Sequence, residues 1–427
     1  MSAIAFKPVN LARWVIWSAF ALVLLIAPHI FTAGFALTLM CQIGTFMIFA
    51  LSFNMLLGQS GMLSFGHAVY AGLGAYFAIH LLNMIGKGFW FPVSLLPLVG
   101  GLAGAFFGVL FGYVTTKKSG TPFAMITLGI GELVFAMSLM FPGFFGGEGG
   151  VSSNRIAGEP LFGFLSSVTF GPQIQVYYLV ALWLFACTVA MYAFTHTPLG
   201  RIANAVRDNP ERVEFIGYET RQVRYLVLIL SGFFAGVSGG LGAINFEIVS
   251  SENVSSIRSG AALLFTFIGG APFFFGPMIG AVIFGLFLVV LATITKAWLL
   301  YLGLFFVLMV MYCPGGIAML IMMQFPIIKA RRFGEIFPSY CLAGAATAAL
   351  LAALIFAVEM IYHLSLEAAA GTSKTFFGIQ VDVASAPPWL VVAVLTVTGG
   401  VLLRLAMRSV STHWDRIMGD IIKAQTT

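Results

Sequence analysis

The sequence predicts an all-α fold, a polytopic bundle of about 10–12 transmembrane helices with broken or re-entrant segments. Three observations carry this. The 427 residues hold 21 Lys and Arg and 15 Asp and Glu, which is 8% charged, against roughly 25% in a soluble domain. Hydrophobic types make up 60%, and mean hydropathy is +1.01. The apolar runs, Trp14 to Ile26 and Leu299 to Met311 among them, do not alternate with polar residues. They therefore read as helices and not as barrel strands. A chain of this composition lacks the polar surface of a soluble enzyme, a disordered regulator or a nucleic-acid binder.

Twelve apolar segments follow in order: 13–31, 34–57, 66–83, 91–114, 122–142, 176–195, 225–244, 259–272, 275–294, 298–322, 340–362 and 389–407. At about 20 residues per span they need roughly 240 residues, which the chain supplies. The first follows Lys7 and Arg13 and superficially resembles a signal peptide. A second apolar segment comes at once, so the first is read as a retained span.

Basic residues set the orientation. With the N-terminus inside, Lys7, Arg13, Lys117, Lys118, Arg201, Arg207, Arg212, Arg221, Arg224, Lys329, Arg331, Arg332, Arg404, Arg408, Arg416 and Lys423 fall on the cytoplasmic side. Only Lys87, Arg155, Arg258, Lys296 and Lys374 fall outside. This asymmetry predicts that both termini are cytoplasmic, and the net charge of +6 reads as orientation.

Glycine is ordered as well as abundant. Gly100, Gly104, Gly108 and Gly112 recur every four residues, as do Gly232, Gly236 and Gly240. Residues four apart share a helix face, and glycine there lets backbones approach closely. Packing within the chain or against a second subunit would both use such a face. Cys41, Cys187, Cys313 and Cys341 lie in apolar runs without metal-ligand spacing and read as small packing residues.

No phosphate-binding loop of the form G-x-x-x-x-G-K-[ST] occurs, and no His-Glu-x-x-His or Cys-x-x-Cys. The sequence therefore offers no catalytic residue, no metal site and no cofactor site of its own. Three places concentrate polarity instead. The segment His196 to Arg224 packs five arginines and four acids into 29 residues. Thr197 can cap a helix opening at Pro198; Leu199, Ile202, Ala203 and Val206 form one apolar stripe. Asn209-Pro210 restarts a second short helix, which Gly217 ends. Such a pair fits either a solvated loop or the cleft of a soluble partner.

The second place is Asn54 to His67, where Gly58, Gly61 and Gly66 interrupt an apolar stretch and Gln59, Ser60, Ser64 and His67 add polar groups. Non-helical backbone at membrane depth is tolerated inside protein or along a water-filled path. The candidates for a translocation pathway are Asn54, Gln59, Ser60, Ser64, His67 and, from the third place, Glu132. The third is Glu132, a carboxylate inside a span, which is either functional or a hydrogen-bonded structural group.

These blocks resemble the membrane-permease subunits of branched-chain amino acid ABC importers, the binding-protein-dependent type. Asn54 to Tyr76 is similar to that family's N-x-L-x-G-x-x-G-x-x-S-x-G-H segment ending in Gly-Ala-Tyr. Gly200-Arg201, Ala205, Arg207-Asp208-Asn209 and Gly217 match its cytoplasmic coupling loop, and Gly269-Gly270, Gly276-Pro277 and Gly280-Ala281 form a third block. Met62, Pro272 and Phe273 depart from the family's usual residues. The likeness covers about residues 35 to 323.

Three parts are expected: an N-terminal span (1–33), the importer permease domain that carries the resemblance (34–325), and, outside the likeness, a C-terminal helical hairpin with a basic cytoplasmic tail (326–427). The resemblance implies a multi-pass protein of the bacterial inner membrane. Its partners would be separate ATP-binding cassette ATPase subunits, a second permease subunit and an extracytoplasmic substrate-binding protein. ATP hydrolysis would lie on the ATPase subunits. The solute would be a branched-chain amino acid or a similar small polar molecule. Urea or a short amide in the same machine is one rival. An ion-coupled secondary transporter using Glu132 is another, and a passive channel a third.

Overall fold

The structure, a computed structural model, describes residues 11–157, 169–366, 373–376 and 379–426. Lys7 lies outside these, and only the backbone of Arg13 and Lys374 is described. The helices run in order α1 (Leu11–Ile30), α2 (Gly34–Ser60), α3 (Ala68–Ile85), α4 (Leu96–Thr115), α5 (Thr121–Met140), α6 (Pro142–Phe145), α7 (Gln173–His196), α8 (Pro198–Asp208) and α9 (Pro210–Phe215). Then come α10 (Thr220–Phe246), α11 (Ser256–Gly269), α12 (Gly276–Gly285), α13 (Ala292–Ile294), α14 (Trp298–Tyr312), α15 (Gly316–Lys329), α16 (Phe333–Leu366) and α17 (Ala386–Thr426). Two short antiparallel pairs, β1 (Val151–Ser152) with β2 (Ile248–Val249) and β3 (Ser373–Phe376) with β4 (Ile379–Asp382), are the strands among the described residues.

The fold is all-helical. Nine helices among the described residues are long and apolar enough to cross a membrane, or ten with the bent pair α14 and α15 counted as one span. Of the two remaining predicted segments, the first lies in the 20-residue apolar helix α1, and the other is the shorter 14-residue helix Ser256–Gly269. The segment 298–322 is also not one straight helix: the chain breaks at Cys313 to Gly315 and bends by 48°. Gly316 sits at φ 67°, which only glycine adopts without strain, and this sets the break.

The chain divides into two compact units. The first holds residues up to Leu291 together with Leu304–Met319. Its centre is α10, the most enclosed of the candidate spans, which packs on α4, α3 and α2. The two glycine arrays read separately from the sequence pack against one another. A Cβ on Gly100 would lie 2.5 Å from Gly236 O, and one on Gly232 would lie 2.8 Å from Gly104 O. Helix backbones thus touch along the α4–α10 seam, and the glycines serve packing within the chain. On another face of α10, Ser231 Oγ donates to Ser52 O at 2.6 Å and Ser238 Oγ to Thr45 O at 2.7 Å, tying it to α2.

Near the far end of α10, Arg155 is buried, and no carboxylate among the described residues pairs with its guanidinium. It donates to the carbonyl oxygens of Phe170 at 2.7 Å, Gly171 at 3.2 Å and Asn245 at 3.3 Å, and to Gln173 Oε1 at 3.1 Å. One planar fork thereby anchors the loop that follows β1 to the last turn of α10.

The second unit holds Ala292–Gly303 and Leu320–Thr427, and pairs α16 with α17. Ile327, Ile336 and Ile417 form its buried cluster, with Tyr340, Val410 and Trp414 packed on it. Arg332 bridges Glu335 and Asp420, each at 2.7 Å, at the exposed edge of that cluster.

Candidate functional site

The helix pair predicted between 197 and 217 is present. Thr197 Oγ1 accepts from Gly200 N at 3.2 Å and caps α8; Asn209 Oδ1 accepts from Arg212 N at 3.0 Å and caps α9. Both caps satisfy amide groups that a helix start leaves unpaired. Ala203 and Val206 are buried, Leu199 and Ile202 half-buried, and Arg201, Ala205, Arg207 and Asp208 exposed, as the stripe requires. Gly200 leaves no room for a side chain against Phe194 O, and Gly217 ends the pair at φ 95°. The tip beyond α9 exposes apolar side chains: Phe215 is 92% exposed and Ile216 69%.

The Asn54–His67 segment sits directly against this pair. Helix α2 ends at Gly61, φ 69°, whose N–H donates to Leu57 O. Arg207 Nη1 donates to Gly58 O, and its Nε and Nη2 hold Asp208 Oδ1, each at 2.9 Å. Asp208 therefore orients the guanidinium that Gly58 receives. A Cβ on Gly61 would lie 2.9 Å from Arg207 Cγ, and one on Gly58 would lie 2.7 Å from Ala271 O. Three blocks far apart in sequence meet here: the end of α2, the last turn of α8, and the non-helical turn 270–275.

From Gly61 the backbone is non-helical to His67 and passes back into the bundle. Phe65 N donates to Thr127 Oγ1 at 3.2 Å, and a Cβ on Gly131 would lie 3.5 Å from Gly66 Cα. Thr127 and Gly131 are six and ten residues into α5, so Gly66 lies about 9–15 Å along it. His67 is fully buried between Phe49, Phe53 and Tyr70. Its Nε2 is 2.9 Å from Ser52 Oγ, whose hydrogen goes to Phe49 O at 2.7 Å. Nε2 must then carry the proton, which leaves Nδ1 as a bare acceptor.

Among the predicted pathway residues, Asn54 Oδ1, Gln59 Oε1, Ser64 Oγ and His67 Nδ1 are buried and have no hydrogen-bond partner among the described residues. Each such atom costs free energy unless water or solute reaches it. Ser60 differs: its hydroxyl donates to Leu56 O at 2.8 Å within its own helix. Glu132 differs too. It is not enclosed by this chain, and it shares an outward face of α5 with Met125, Gly129, Leu133, Met137 and Met140. A carboxylate on an apolar face is costly against lipid, so this face suits a neighbouring subunit or an aqueous path.

Two features escaped sequence reading. Ala271, whose carbonyl approaches Gly58, carries no distinguishing side chain. Arg258 is followed by the buried Ser259, which meets the start of α3: Ala68 N donates to Ser259 Oγ at 3.0 Å. The polar run Ser255, Ser256, Arg258 and Ser259 at the head of an apolar segment was the available signal.

Residues 35–314 match the family described as branched-chain amino acid transport system, permease component. The chain is 27% identical over 307 residues to the high-affinity branched-chain amino acid transport system permease protein LivM of Salmonella typhimurium, covering 68% of this chain and 71% of that protein. To the Escherichia coli LivM it is 26% identical over 289 residues, 64% and 67% of the two chains. To the fructose import permease protein FrcC of Rhizobium meliloti it is 24% identical over 212 residues, 46% and 55%. No solved structure matches. The family match spans well over half of the chain, so this multi-pass membrane protein, a transport component and not a catalyst, belongs to the branched-chain amino acid transport permease family.

Proposed function

We propose that this chain is one permease subunit of an ATP-driven, binding-protein-dependent importer. It would move branched-chain amino acids or similar small polar solutes into the cytoplasm across a bacterial inner membrane. Residues 34–325 would be the permease domain, preceded by a span at 1–33 and followed by a hairpin and basic tail at 326–427. Both termini would be cytoplasmic.

The single observation that carries the reading is the tie from Arg207 on α8 to Gly58 O at the end of α2. Helices α8 and α9 present an exposed apolar tip, Phe215 and Ile216, suited to the cleft of a soluble ATPase subunit. Closure of two ATPase subunits would push this pair. Arg207 would pass the displacement to Gly58, and Gly58 to the 270–275 turn that its Cα abuts. ATP binding supplies the free-energy difference between outward-open and inward-open packings, and the chain itself supplies the lever. Asn54, Gln59, Ser64 and His67 would line the path, with Glu132 facing the second permease subunit across it.

Purification in detergent tests this, followed by identification of what co-purifies and by uptake in proteoliposomes. The proposal expects two ATPase subunits with the permease pair, and uptake that requires ATP on the cytoplasmic side. A lone chain giving full uptake from an ion gradient would establish the secondary-transporter reading instead. Uptake surviving ATP depletion would establish a channel.

A further inference from the structure

We infer that Arg258 binds the carboxylate of the transported solute, halfway through the membrane, at the head of the half-length helix α11. This rests on the importer reading and names the chemical class its path selects.

The placement comes from neighbours at known heights. Ser259 accepts from Ala68 N, one residue beyond His67. Gly72, four residues further along α3, abuts Asn253: a Cβ there would lie 2.6 Å from Asn253 O. Gly66 lies about 9–15 Å along α5, near the middle of a hydrocarbon core about 30 Å thick. Arg258 lies between Asn253 and Ser259 in the chain and so at the same depth. The chain descends to this point from the end of α10 without a continuous helix, through β2 and the turn at Ser251–Val254. A span interrupted at mid-depth places a helix N-terminus, with its positive end, where solute passes.

Arg258 is built to receive an anion there. Asn253 N donates to Ser250 O at 3.0 Å and Asn253 Nδ2 to the same oxygen at 3.3 Å, which fixes the amide. Its Oδ1 accepts from Arg258 Nη1 at 2.6 Å and aims the guanidinium. No carboxylate among the described residues forms an ion pair with Arg258. The rest of the fork is left for a planar two-oxygen group, which a guanidinium matches bidentately. Ser255 Oγ caps Arg258 N at 3.3 Å, while the amides of Ser256 and Ile257 have no acceptor within the helix. Ile257 beside it is 85% exposed, so the head of α11 opens onto the surface of this chain. Glu252, within electrostatic reach of Arg258 and exposed, would face the ammonium end of an amino acid.

The other end of α11 reaches the lever. Ala271, two residues past its last turn, abuts Gly58, which Arg207 holds. A displacement at the coupling helices therefore acts on the same short rod that carries Arg258, about 20 Å away. A sugar has no carboxylate and would gain nothing from this site.

The test uses the reconstituted complex with Ile257→Cys, in a chain whose partly exposed Cys313 and exposed Cys341 are changed to Ser. Anionic and cationic thiosulfonates are compared for their rates at position 257. The anionic reagent should react at least about tenfold faster, and Arg258→Gln should abolish the preference while Arg258→Lys keeps part of it. Excess leucine should slow the anionic reaction, whereas leucinamide and fructose should not. Equal rates for the two reagents, or protection by leucinamide as strong as by leucine, would overturn the inference; equal rates are also the outcome if a second subunit's carboxylate occupies Arg258. ATP-dependent uptake and ATPase activity, measured in the same vesicles, separate failure of this site from failure of the importer reading.

Discussion

Replacing Gly100 by Ala tests the α4–α10 seam on which the permease unit is built. The added Cβ would lie 2.5 Å from Gly236 O and 3.2 Å from Gly240 Cα. Ordinary van der Waals contact begins near 3.4 Å, so the helices must separate by about 0.9 Å. Both obstacles are backbone, and no rotamer change relieves them. Overpacking of this kind costs up to about 3 kcal/mol. Alanine returns about 1 kcal/mol of helix propensity, which leaves a net loss of about 2 kcal/mol. Gly242→Ala, also in a helix but with nothing within 4 Å of its Cβ, should gain up to about 1 kcal/mol instead. The assay is the melting midpoint of the purified protein in detergent, read by loss of the monodisperse peak. Wild type should fall between the two variants. The reasoning fails if Gly100→Ala melts at or above wild type.

Other substitutions probe other parts. Asn209→Ala removes the α9 cap and should cost about 1 kcal/mol locally, seen as faster amide exchange at Arg212. Ile417→Ala empties a fully buried position in the second unit and should cost about 2–5 kcal/mol, whereas Arg332→Ala, at an exposed pair that solvent screens, should leave the melting midpoint close to wild type; the comparison of melting midpoints decides. Arg155→Lys should destabilise nearly as much as Arg155→Ala, because an ammonium cannot serve the diverging carbonyls that the guanidinium reaches; a lysine variant with wild-type stability would contradict this.

Much of this was legible in the residues. Apolar runs without charge fix helices at about their observed places, since each span must satisfy its own backbone. The caps at Thr197 and Asn209 were readable because capping is local. The two glycine arrays were visible, but not that they face one another, because pairing of distant helices leaves no mark on either period alone. The approach of Ala271 to Gly58 was hidden for the same reason. The contact of Ser259 with the start of α3 was hidden for the same reason, since nothing in the 255–259 run names its distant partner. Glu132 was visible as a charge in a span, yet its outward direction depends on which side of α5 the other helices cover.

The coupling ratio measures the central claim, that Arg207 carries motion from α8 to the broken end of α2. In the reconstituted complex, solute imported per ATP hydrolysed is compared between wild type and the double variant Arg207→Ala, Asp208→Ala. In the double variant ATP hydrolysis should persist while the ratio falls at least about tenfold, equivalent to about 1.4 kcal/mol of lost coupling. An unchanged ratio, with uptake and hydrolysis both at wild-type levels, would contradict it.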